Sequence, residues 1–84
     1  MPTIAKFYGI VILMHPIGKE HNPPHLHALY GEYQASISLH EGKIIKGKLP
    51  PKAEQLVLEF ILKYQTELLT MWNTQNFTQL PPLE

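Results

Sequence analysis

A chain of 84 residues has room for one domain and a thin core. It holds no cysteine, which excludes disulfides and thiolate metal sites and favours a reducing compartment, the cytoplasm. Seven lysines balance seven glutamates with no arginine and no aspartate, so neither the basic excess of a dedicated nucleic-acid binder nor arginine's bidentate fork for phosphate is present.

The first half reads as strands. Met1-Pro2-Thr3 carries no secretory pattern, and Ile4 to Tyr8 is rich in strand formers. Gly9 punctuates it, and Ile10 to Met14 is a short continuous apolar run that suits a strand buried on both faces. The run from Gly9 to Met14 is the longest apolar stretch and far too short to span a bilayer, so no membrane partner is expected. His15-Pro16-Ile17-Gly18 breaks the pattern as a turn, and Glu20 to Pro24 reads as a loop stiffened by two prolines. His25 to Tyr30 predicts a third strand, and Gly31-Glu32 a tight turn. Tyr33, Ala35, Ile37 and Leu39 then alternate with Gln34, Ser36, Ser38 and His40, the clearest period of two in the chain. Glu41-Gly42 is a hairpin turn, and Lys43 to Lys48 returns as a strand.

At Leu49-Pro50-Pro51 the period changes. Ala53, Leu56, Val57, Phe60, Ile61, Tyr64 and Leu68 recur at helical spacing, with Pro51 suited to a first turn and Glu54 to the positive end of the dipole. Leu58 and Leu62 widen the stripe, which implies a helix covered on more than one side. The pattern continues to Trp72, with a kink or break expected near Gln65-Thr66, and Asn73 to Glu84 reads as a tail or strap. The expected fold is α+β: a small antiparallel sheet of four or five strands followed by one long or two shorter C-terminal helices on one face. The single domain fills residues 1–84, with strands mainly in 1–49, helix in 50–76 and a tail in 77–84.

The unusual segment is Glu20-His21-Asn22-Pro23-Pro24-His25-Leu26-His27-Ala28. On a strand, His25 and His27 project from the same face. His21, held before the proline pair, can fold back toward them, and Glu20 can orient an imidazole or bind a metal. Two chemistries fit. His21, His25 and His27, with Glu20, can hold a divalent metal such as zinc or manganese. Without metal, the same histidines can serve as general acid and base on a phosphodiester. A plainer role, hydrogen bonding within a hairpin, stays open beside both. Lys6 and Tyr8 are candidates for contacting phosphate, and Tyr30 for completing the site. Lys43, Lys46 and Lys48 can form a basic patch, while His15, His40, Phe60 and Trp72 read as strand-end, solvated or core residues.

The strings Met1-Pro2-Thr3-Ile4-Ala5-Lys6-Phe7-Tyr8-Gly9-Ile10, His21-Asn22-Pro23-Pro24-His25-Leu26-His27-Ala28 and Tyr30-Gly31-Glu32-Tyr33 together resemble the DUF4160 family of small bacterial proteins. Gly47-Lys48-Leu49-Pro50, Glu67-Leu68-Leu69 and Trp72 extend the resemblance over nearly the whole chain. The resemblance implies a gene neighbour of the DUF2442 type, and a pair resembling a type II toxin–antitoxin module in which this chain is the toxin. It maps the motif histidines onto His21, His25 and His27. Lys6 stands where the family often has arginine, Glu20 where it often has aspartate, and Leu26 where it often has an aromatic residue. Lysine in place of arginine loses the two-pronged grip on phosphate.

The expected function is therefore a toxin acting on RNA or a nucleotide through the histidines. The alternative is a metal-binding or interaction module that pairs with the DUF2442-type partner. Self-association is compatible with either.

Overall fold

The computed structural model describes residues 2–14 and 23–82. Five strands, β1 (Thr3–Phe7), β2 (Ile10–Leu13), β3 (His25–Tyr30), β4 (Tyr33–Ser38) and β5 (Ile44–Lys48), precede one helix, α1 (Pro51–Thr74). They form an antiparallel meander in chain order. This is the expected α+β arrangement, with five strands and one kinked helix among the described residues.

Two-residue turns set the register of β1 against β2 and of β3 against β4. Tyr8-Gly9 joins β1 to β2 with both residues at positive φ, the pattern of a type I′ hairpin turn. Gly31-Glu32 joins β3 to β4, leaving Tyr30 opposite Tyr33, Ala28 opposite Ala35 and Leu26 opposite Ile37. Between β4 and β5 the expected Glu41-Gly42 turn gives way to a wider one over Leu39, His40 and Glu41, closed by Gly42 N–H donating to the Ser38 carbonyl and Ser38 N–H donating to the Lys43 carbonyl, both at 2.9 Å. Irregular pairing at Ser36/Ile37 bulges β5. Two residues past the bulge, opposite Ala35, Gly47 lies at φ +79, where a Cβ would collide with the Gln34 carbonyl oxygen, so glycine alone fits.

One sheet face is the core. Phe7, Ile10, Ile12, Leu26, Ala28, Ala35 and Ile37 are buried there, and Met14 and Leu39 extend it beyond the strand ends. β2 departs from the reading of a strand buried on both sides. Ile10, Ile12 and Met14 are buried, but Val11 and Leu13 are only half-buried, because among the described residues no helix covers the opposite face.

α1 lies on the core face. Pro50 occupies its N-cap, Pro51 its first turn and Glu54 the same turn. Its buried stripe is Ala53, Val57, Phe60, Ile61, Leu68, Met71 and Trp72. Phe60 stacks on Phe7 with ring centroids 5.0 Å apart, joining helix to sheet. At Tyr64 the backbone leaves helical geometry (φ −117°, ψ 25°), one residue before the expected kink. Beside it Gln65 Nε2 donates to the Leu39 carbonyl at 2.8 Å, fastening the bend to the sheet. The expectation of a helix covered on several sides is corrected: Leu62 is 76% exposed and Leu58 only partly buried, since a lone helix over a sheet buries a single stripe. After a left-handed C-cap at Gln75 the tail returns along β1, where Leu80 N–H donates to the Ile4 carbonyl at 2.8 Å. It is the strap expected from the polar C-terminus, and it blunts the edge of the sheet.

Candidate functional site on the histidine face of the sheet

Alternation in β3 sends Leu26 and Ala28 into the core and His25, His27 and Leu29 to the other face. Register then assembles a polar row there. His27 sits opposite Ser36, and Ser36 opposite Lys46. His25 sits opposite Ser38, whose side chain is buried and accepts the Glu41 N–H at 3.2 Å. The rings of His25 and His27 stand edge to face, centroids 5.1 Å apart. Pro23, His25, His27, Ser36 and Lys46 line an open groove of about 390 Å³. A smaller hollow of about 250 Å³ adjoins it and shares His27, Ser36 and Lys46, with Gln34 added.

Both imidazoles are oriented. Nδ1 of His25 lies 3.0 Å from the Pro23 carbonyl oxygen. A carbonyl only accepts, so Nδ1 carries the proton, and neutral His25 keeps its lone pair on Nε2. The second proline of the pair shapes this backbone, because a residue before proline is held extended. Nδ1 of His27 lies 3.3 Å from Ser36 Oγ. On its other side His25 packs 5.0 Å from the ring of Trp72, which is buried at the C-terminal end of α1. The helix thereby braces one wall of the site.

The structure separates the residues singled out in the sequence. His25 and His27 come together as expected. His21 and Glu20, and with them the three-histidine metal set, lie outside the described residues, as does the His15-Pro16-Ile17-Gly18 turn. Among the described residues no three histidine or carboxylate side chains gather as a metal cage. Lys6 is exposed on β1, on the same face as the histidines but in the neighbouring row, opposite Val11; two strand spacings, about 10 Å, separate β1 from β3. Tyr8 and Tyr30 lie elsewhere. They line a separate cleft at the far end of the strands, where Tyr30 is five residues beyond His25, about 17 Å along β3. Of the three-lysine patch, Lys46 and Lys48 share the histidine face, whereas Lys43 pairs with Glu41 at 3.1 Å in an exposed turn. His40 is exposed, as expected.

Ser36, Lys46 and Trp72 are contributors that the sequence reading did not place. For Ser36 a signal existed: once Gly31-Glu32 is accepted as a two-residue turn, counting back puts Ser36 against His27. The β5 bulge hid Lys46, and Trp72 is a contact between elements distant in sequence.

The fold and face just described define a small α+β domain, a helix-backed five-stranded meander with a histidine groove. A family model described as a domain of unknown function, DUF4160, matches residues 9–73, and the chain belongs to that family. Comparison with curated proteins and with solved structures gives no match.

Proposed function

We propose that this chain is the toxin of a toxin–antitoxin-like pair, acting in the cytoplasm on RNA through the groove of His25 and His27. The observation that carries the reading is two oriented imidazoles 5.1 Å apart in a groove that Lys46 also lines. In the proposed reaction one imidazole takes the proton of a ribose 2′-hydroxyl, whose oxygen attacks the adjacent phosphorus. The other, His27, has its Nε2 buried and its Nδ1 3.3 Å from Ser36 Oγ, so its proton passes to the Ser36 hydroxyl, which gives its own to the departing 5′-oxygen. The products are a 2′,3′-cyclic phosphate and a free 5′-hydroxyl, with no net proton change. The Lys46 ammonium offsets charge on the phosphoryl oxygens. His25 suits the role of base, since its protonated Nδ1 leaves Nε2 to accept.

Expression of the wild-type chain should arrest growth, and co-expression of a DUF2442-type neighbour should relieve the arrest. The purified chain should generate cyclic phosphate ends in the presence of chelator. A folded variant carrying His25→Ala and His27→Ala that remains equally toxic would refute the reading.

One observation favours a second reading, a non-enzymatic metal-binding or pairing module. Metal-binding histidines commonly donate their second ring nitrogen to a carbonyl, as His25 does to Pro23. In that case zinc or manganese should copurify in a fixed ratio and be lost in His25→Ala, while RNA stays intact.

A further inference from the structure

The cleft at the far end of the strands has chemistry of its own. It measures about 480 Å³ and is lined by Tyr8 and Tyr30, by Ala53 and Leu56 from the first turns of α1, and by Lys52. Its volume exceeds what a bare ion needs and falls in the range of small-molecule sites. None of the lining residues is acidic, and Lys52 stands in the first turn of α1, where the helix dipole adds positive potential. The two tyrosines are among the few large, substantially exposed apolar side chains, at 61% for Tyr8 and 37% for Tyr30.

The backbone supplies an independent observation. Tyr8 occupies the first position of the Tyr8-Gly9 turn at φ 50, a conformation that asparagine, aspartate or glycine adopts readily and a bulky residue does not. Its ring is largely exposed, so burial does not account for a tyrosine there. Strain of this kind at an exposed aromatic residue on the rim of a cleft is what a ligand contact explains.

We infer that this cleft binds a planar aromatic anion of the nucleotide class, with the ring against the Tyr8 and Tyr30 side chains and the phosphate on Lys52. The inference does not rest on the reading of the histidine groove, and the two sites lie at opposite ends of β3.

The test is an NMR titration of the intact chain with adenosine monophosphate, adenosine and inorganic phosphate. Adenosine monophosphate should shift the resonances of Tyr8, Tyr30 and Lys52 and bind more tightly than either fragment. Tyr8→Asn should raise the melting temperature, because asparagine suits the turn, yet weaken nucleotide binding at least about fivefold. Lys52→Gln should remove the advantage of the monophosphate over adenosine and leave adenosine binding unchanged. The double variant His25→Ala, His27→Ala should bind as wild type does, which keeps this result separate from the fate of the groove. Unchanged binding in Tyr8→Asn, phosphate binding as well as the nucleotide, shifts confined to the histidine groove, or no shifts up to about 10 mM, a level that leaves only negligible affinity, would each overturn the inference.

Discussion

The two faces of one sheet behave as different materials, although their residues alternate along the same strands. On the helix side Leu26, Ala28, Ala35 and Ile37 are fully or almost fully buried against α1. On the other side their immediate neighbours His25, His27, Ser36 and Lys46 form the groove. The face under α1 carries the stability, and the other is the one on which the proposed chemistry falls. A side chain on the first can change only at a cost to folding, whereas one on the second can change with little.

That contrast is sharpened most by Phe60→Ala, which removes the ring stacked on Phe7 and should destabilise the chain by about 3–5 kcal/mol in denaturant unfolding. For so small a domain this is a large share of the total stability. On the other face, His25→Ala with His27→Ala should slow the proposed RNA cleavage by about 10²–10⁴-fold. The same unfolding measurement should show that double variant losing at most about 2 kcal/mol, for two hydrogen bonds and the contact with Trp72. Should it unfold as readily as Phe60→Ala, the division of labour between the faces would be wrong.

Gly47→Ala probes the boundary between them. It forces a Cβ against the Gln34 carbonyl at a positive φ and should cost about 1–3 kcal/mol. Because Lys46 adjoins it, cleavage should also fall, so this variant should lose both properties where the others lose one. Gln65→Ala should cost about 1 kcal/mol by orphaning the Leu39 carbonyl at the helix bend, with activity unchanged. The smallest effect is expected for Ser36→Ala, at roughly 0.5–1 kcal/mol, with a change in cleavage rate that reports how far Ser36 orients His27.

Much of this arrangement could be read along the chain. The alternation from Tyr33 to His40 identified β4 and its two faces, and Gly31-Glu32 identified the turn before it. The helical spacing from Ala53 to Leu68 identified the core stripe. Where the reading failed, the cause was cover. Val11, Leu13 and Leu62 are apolar, and hydrophobicity alone cannot say whether another element lies over them. Tyr8 and Tyr30 failed as partners of the histidines for a related reason. They flank the histidine segment in sequence, but Tyr8 sits in a turn and Tyr30 at the opposite end of β3.

By itself the sequence determined the element types, the order of strands before helix and the common face of His25 and His27, because these follow from local periodicity and turn chemistry. Tertiary structure alone decided that Lys46 joins the histidines across two strands, that Trp72 braces His25 and that the tyrosines form a separate cleft. Those contacts depend on cross-strand register, a bulge and the angle of a bent helix, which are settled by packing between segments far apart in the chain.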